Sequence, residues 1–97
     1  MFIVELTYTV PLEAVDQHLE AHIDFLKRQY AAGHFLASGR KVPRSGGIIL
    51  AQAENQNALQ AIIEEDPFHI HQLAAYRITE FVPSMTVPEL EFLSGEK

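Results

Sequence analysis

The sequence has no cysteine, few basic residues and no long apolar run, and each absence excludes a class of protein. Without cysteine among its 97 residues, the chain has no disulfide scaffold, no thiolate-bound zinc or iron–sulfur site and no thiol nucleophile. Lys and Arg number 7 against 13 Asp and Glu, a net charge of −6, so we do not expect the protein to bind nucleic acid.

Membrane insertion and export are also not expected. The longest apolar run, glycine aside, is four residues, whereas a membrane-spanning helix needs about 20. Residues 1–10 lack a basic region and are therefore not a signal peptide. These absences predict a cytoplasmic protein without a membrane partner.

The residues that are present indicate one globular α+β domain. Hydrophobic residues make up 47% of the chain, which is ordinary for a folded protein. We assign residues 1–97 to a single domain, with a core at 1–83 and a C-terminal tail at 84–97.

Hydrophobic periodicity predicts four strands and two helices. Alternation predicts strands at 2–10, 34–42, 47–53 and 74–82, helical spacing predicts helices at 12–32 and from Asn55 or Asn57 to Asp66, and a terminal helical turn is predicted at 88–93. With right-handed crossovers, the order strand–helix–strand–strand–helix–strand predicts a ferredoxin-like fold. Its four-stranded antiparallel sheet would carry both helices on one face.

The other face of the sheet is the candidate dimer interface. The residues assigned to it mix apolar and small polar side chains: Ile3, Thr7, Leu36, Ile49, Ile78 and Val82. A short chain with such a face exposed is expected to cover it with a second copy, so we predict a homodimer formed through the sheet face.

His22 and Asp66 are the candidate catalytic residues. Leu19 and Leu26 lie three residues before and four after His22, so its ring is predicted to point toward the sheet and to need a partner there. Asp66 ends the second predicted helix before Pro67. A carboxylate on one ring nitrogen would fix the tautomer and leave the other nitrogen free for proton transfer. The alternative is a structural histidine and a solvated helix end.

Candidate substrate-binding residues surround this pair. Arg40, Lys41 and Arg44 form a basic cluster in an acidic chain that could attract an anionic ligand, or else a solvated hairpin end. We include Ser38, Gly39 and Arg40 as binding residues, Ser38 as a hydrogen-bond donor. Tyr8 and Phe68 would line a pocket for a ring, unless they are ordinary core residues.

Metal binding is the rival chemistry. His18 and His22 have the spacing of paired helical ligands, and His69 and His71 follow Asp66. However, Leu19 occupies the position of the glutamate in zinc-protease helices. The chain also lacks phosphate-loop and dinucleotide-binding motifs, so we expect no metal and no cofactor.

Three segments make the sequence similar to the YciI-like (YCII-related) family. They are HIDFLKRQYAAGHFLASGR at 22–40, SGGIILAQAEN at 45–55 and EEDPF at 64–68. The family pattern matches His22, Gly39, Ala53–Glu54 and Asp66–Phe68, whereas Ser38–Gly39–Arg40 stands where many members have Gly-Pro. The resemblance implies a ferredoxin-like fold of the dimeric α/β-barrel group, with His22 and Asp66 as the active-site pair. Related barrels include isomerases, cofactor-independent monooxygenases and a dehydrochlorinase of a chlorinated hydroxyquinol.

Two functions follow from the sequence. The first is a small metal-independent enzyme that uses His22 and Asp66 for elimination or isomerisation of a small organic acid or ring compound. The second is a non-catalytic ligand-binding or interaction module, in which the same pair is structural. In an enzyme, His22 should line an open cavity with one nitrogen free.

Overall fold

The structure, a computed structural model of the chain, describes residues 1–94. Its elements in chain order are β1 (Phe2–Tyr8), α1 (Leu12–Asp16), α2 (Leu19–Ala31), β2 (Phe35–Arg40), β3 (Gly46–Ala51), α3 (Gln56–Ile63), α4 (Pro67–Ile70) and β4 (Ala74–Glu80), then a 3-10 turn at Pro88–Leu93. The predicted strands all form, each shorter than its predicted range.

The strands of the described residues pair in the order β2-β3-β1-β4, and every neighbouring pair is antiparallel. This order places β1 and β3 at the centre, with the hairpin strand β2 and the last strand β4 at the edges. It confirms the predicted ferredoxin-like α+β class.

Alternation along β1 separates a core face from an outer face. Phe2, Val4 and Leu6 are at most 2% exposed, and they pack with buried residues of the helices in one cluster. Ile49 and Ile78 both lie opposite Val4 in the register. Because directly opposite residues of antiparallel strands share a face, placing Ile49 and Ile78 on the outer face was wrong.

The outer face retains only part of the predicted set. Ile3 and Thr7 lie there, but Leu36 falls in the irregularity between Phe35 and Ala37, and Val82 lies beyond the end of β4. The register instead adds Ile48, opposite Glu5, and Leu50, opposite Ile3, both half-buried.

The single helix predicted for residues 12–32 is two helices. The chain turns at His18, whose backbone (φ −114°, ψ 7°) is not helical. The buried side of α2 consists of His22, Phe25 and Gln29. The apolar stripe of α2, which consists of Leu19, Ile23 and Leu26, is therefore rotated toward the edge of the core. Within it, Ile23 is 40% exposed.

Asp66 begins a helix that the sequence pattern missed. The segment after Pro67, expected to be irregular, forms α4, with Asp66 as its N-cap and Pro67 in its first turn. Proline is favoured at that position because it has no N–H to leave unpaired and its φ is already helical. Asn55 caps α3 by accepting a hydrogen bond from the Ala58 N–H, which selects between the two predicted caps.

Gly46 permits the close approach of β3 to β1. A Cβ atom built on Gly46 would lie 1.8 Å from the carbonyl oxygen of Leu6, whereas one on Gly39 would meet nothing within 4 Å. The glycine that packing requires is therefore Gly46, although the sequence pattern drew attention to Gly39 inside a strand.

The chain beyond β4 contacts the domain weakly. Met85 is 90% exposed and Phe92 is 64% exposed, and the predicted helical turn at 88–93 is the 3-10 turn. Of the tail predicted at 84–97, residues 95–97 lie outside the described residues. No helix formed by the described residues has the length and apolarity needed to cross a membrane.

Candidate active site

His22 projects from the first turn of α2 into the edge of the core. The residue is largely buried, with 9% of its surface exposed. Its ring stacks on that of Phe68, with ring centroids 3.9 Å apart and planes 3° apart. This parallel stack holds the imidazole plane in one orientation.

Asp66 determines which ring nitrogen carries hydrogen. The Nδ1 of His22 donates to Oδ1 of Asp66 across 2.8 Å, because a carboxylate oxygen accepts. Among residues 1–94 no hydrogen bond reaches Nε2, and no buried side-chain nitrogen or oxygen lacks a partner. Nε2, which has no such partner, is therefore not fully buried.

The Asp66 carboxylate is buried and fully bonded. It is 1% exposed. Besides His22, Oδ1 accepts the backbone N–H of Phe68 across 2.9 Å, and Oδ2 accepts the hydroxyl of Tyr76 across 2.6 Å. Three donors from three elements compensate for the removal of this carboxylate from water.

Tyr76 donates a hydrogen bond to Asp66 through its phenol hydroxyl. Burial, followed by the neighbouring Asp66 charge, raises the pKa of Tyr76 far above its ordinary value of 10.0. The phenol is therefore neutral at neutral pH and donates its hydrogen bond to Asp66.

An open groove of about 640 Å³ lies beside His22, within the size range of small-molecule pockets, about 300–1,000 Å³. Leu19, Ile23 and Leu26 of α2 form one wall, and core-face residues of the central strands contribute to the floor. The apolar stripe of α2 thus faces a ligand-sized space, which explains why it is not buried.

Six of the seven predicted site residues line this groove: Tyr8, His22, Ser38, Gly39, Arg40 and Phe68. The seventh, Asp66, lies behind His22 and does not line the groove. The structure therefore brings the predicted set together, with Asp66 acting on the groove only through the imidazole.

The predicted basic cluster is divided between two faces. Arg40 lines the groove, and no ion pair within residues 1–94 engages it. Arg44 also lines the groove but pairs with Asp16, and that hydrogen bond raises the pKa of Arg44. Lys41 instead bonds to Glu5 across 2.8 Å on the outer face. Arg40 is consequently the guanidinium available to an anionic ligand.

Ser38 is held at the groove by α2. Its hydroxyl forms a hydrogen bond with the Tyr30 hydroxyl, with 2.5 Å between the oxygens. One of the two hydroxyl protons must remain for a further acceptor, so the pair can still donate to a ligand.

The four histidines considered as metal ligands do not form a metal site. His18 stacks on His71 with centroids 4.1 Å apart, His69 packs edge-on against Tyr76, and His22 is bonded to Asp66. Within the part of the chain that the structure describes, no group of three or more His, Asp or Glu side chains could hold a metal ion.

Sequence analysis missed Tyr76 and the role of Leu19, Ile23 and Leu26. Tyr76 shares a face with Leu6, its partner in the register, but nothing in a strand pattern indicates that its hydroxyl meets Asp66. The apolar spacing of α2 was visible, but the same spacing is typical of a helix packed on a core.

Three comparisons place the chain among known proteins. A family model described as "YCII-related domain" matches residues 1–82. No curated protein matches the chain. A solved structure of 5-chloro-2-hydroxyhydroquinone dehydrochlorinase from Burkholderia phenoliruptrix AC1100, in complex with 2,5-dihydroxybenzoquinone, is similar with a TM-score of 0.70 and 18% identity, over 84% of this chain and 93% of that one. At this identity the likeness is one of fold.

Proposed function

Since the chain belongs to the YCII-related domain family, we propose that it is a small enzyme whose His22 carries out acid–base chemistry on a small ring compound or organic acid. One observation carries the proposal: His22 lines a ligand-sized groove, its Nδ1 is bound to a buried carboxylate, and no hydrogen bond within residues 1–94 engages its Nε2. That is the arrangement of an oriented general base.

The proposed step needs neither metal nor redox cofactor. Nε2 of His22 takes a proton from a C–H or O–H bond of the substrate. Asp66 stabilises the resulting imidazolium. In an elimination, the electron pair left behind forms a double bond as a leaving group departs with its own pair, and water then takes the proton from the imidazolium. In an isomerisation, the double bond shifts and the imidazolium returns its proton to another carbon of the substrate.

The groove favours an anionic, partly apolar substrate. Its apolar wall on α2 and the aromatic rings of Tyr8 and Phe68 would pack on a ring. The unpaired Arg40 would bind a carboxylate or an ionised hydroxyl group.

Two ligands associated with the similar dehydrochlorinase serve as probes of this function. Wild-type protein is expected to release chloride from 5-chloro-2-hydroxyhydroquinone, or to exchange the ring C–H of 2,5-dihydroxybenzoquinone for deuterium in deuterium oxide, faster than buffer does. Both readouts report proton transfer directly. Binding in the groove without either reaction would favour the non-catalytic binding module, in which the full hydrogen bonding of Asp66 is structural.

We also propose that the protein is a homodimer formed through the outer sheet face. Ile3, Ile48 and Leu50 leave apolar surface on that face, next to the Lys41–Glu5 ion pair. Light scattering at micromolar concentration is expected to give twice the mass of the 97-residue chain. A monomer at that concentration would contradict the proposal. A cytoplasmic location stays a prediction.

A further inference from the structure

Within residues 1–94, Asp66 accepts hydrogen bonds from three donors: His22, the backbone of Phe68 in α4, and Tyr76. Tyr76 is the one among them that lies in the sheet. It lies in β4, where pairing of its backbone with Leu6 fixes its position in the sheet, and the His69 ring packs edge-on against it with centroids 5.5 Å apart. The hydroxyl is therefore held by the sheet rather than by a loop.

The two oxygens of Asp66 are bonded unequally. Oδ1 receives two N–H groups, from His22 and from the backbone of Phe68. Within residues 1–94, Oδ2 receives only the Tyr76 hydroxyl. A buried carboxylate oxygen without a donor is unfavourable, so without this hydroxyl the carboxylate would gain by rotating to bring Oδ2 toward the remaining N–H groups.

We propose that Tyr76 is a positioning residue, which holds the Asp66 carboxylate in the orientation that presents Oδ1 to Nδ1 of His22 and so keeps Nε2 directed into the groove. Tyr76 does not itself line the groove among the described residues, so it acts through Asp66 and His22. This inference rests on the proposed function, since it concerns the orientation of the proposed base.

The test follows the Nδ1–H proton of His22 by NMR in the ¹⁵N-labelled protein without ligand. In wild type, a proton shared with a buried carboxylate should resonate downfield and exchange slowly with water. In Tyr76→Phe, which keeps the ring, its exchange should become about tenfold faster, as expected for loss of one hydrogen bond to a charged group. The control, Tyr30→Phe, removes a hydroxyl bonded to Ser38 and should leave the exchange unchanged.

A folded Tyr76→Phe protein with wild-type exchange at Nδ1 would overturn the inference and make Tyr76 a purely structural residue. If Tyr76→Phe does not fold, a monofluorinated tyrosine at the same position keeps the ring and donates more strongly. Its Nδ1–H exchange should be slower than in wild type, and an unchanged rate would again overturn the inference.

The positioning role of Tyr76 and the proposed function of His22 can be contradicted independently of each other. Unchanged Nδ1–H exchange in the Tyr76 variants contradicts positioning even if turnover requires His22. Turnover that survives the loss of His22 contradicts the proposed function even if Tyr76 controls the exchange.

Discussion

Replacing His22 with glutamine is expected to lower the rate of proton abstraction about 10²–10⁴-fold, the usual contribution of a positioned general base. Glutamine can still donate an N–H to Asp66, so the buried carboxylate keeps its donors and the fold is retained. It has no basic nitrogen to present to the groove. Chloride release and deuterium incorporation measure the loss, and thermal unfolding checks that the variant is folded. His22→Ala should lose activity equally.

The matched control is His18→Gln, at the start of the same helix. His18 stacks on His71 and does not line the groove, so its replacement should leave the rate unchanged. Equal rates for wild type and His22→Gln would end the catalytic interpretation. A fall of similar size in both variants would mean that α2, and not the imidazole, had been disturbed.

Replacing Asp66 with alanine is expected to lower the free energy of unfolding by about 3–5 kcal/mol, because each of the three buried donors left without an acceptor costs about 1–3 kcal/mol. The substitution removes the N-cap of α4 and leaves the Tyr76 hydroxyl and the His22 and Phe68 N–H groups without their acceptor. Urea denaturation of wild type and variant measures the difference.

Asn55→Ala is the matched control, because Asn55 also caps a helix through one backbone N–H. At the surface its loss should destabilise the protein by only about 1 kcal/mol. If Asp66→Ala were no more destabilising than Asn55→Ala, the bonds to His22 and Tyr76 would contribute nothing to stability.

Asp66→Asn separates activity from stability. Asparagine keeps an acceptor for Nδ1 of His22, and Tyr76 can turn its hydroxyl to accept from the new amide, so the protein should fold. The negative charge that stabilises an imidazolium is lost, and activity should fall with it. Wild-type turnover in this variant would show that the proton transfer does not need the carboxylate.

The position of the site could be predicted only in part. The spacing of α2 correctly placed His22 facing inward, and the alternation of β1 correctly placed Ile3 and Thr7 on the outer face of the sheet. The spacing did not show that Ile23 is left 40% exposed, because a period shows which residues share a face but not what lies opposite that face. Opposite Ile23 lies the groove.

Sequence analysis identified Asp66 as a site residue but assigned it to the wrong helix end. It was expected as the end of one helix, whereas it is the N-cap of the next, and its Oδ1 accepts the backbone N–H of Phe68. A proline followed by only three more helical residues is too short a segment for periodicity to reveal.

The sequence by itself determined the four strands, the fold class and the inward direction of His22, because these depend on local alternation and on the few ways in which such elements connect. The tertiary structure alone decided that Tyr76 reaches Oδ2 of Asp66, that Arg40 but not Lys41 faces the groove, and that the α2 stripe is left open. Each of these depends on register and on helix rotation, which are set by how all the elements pack together.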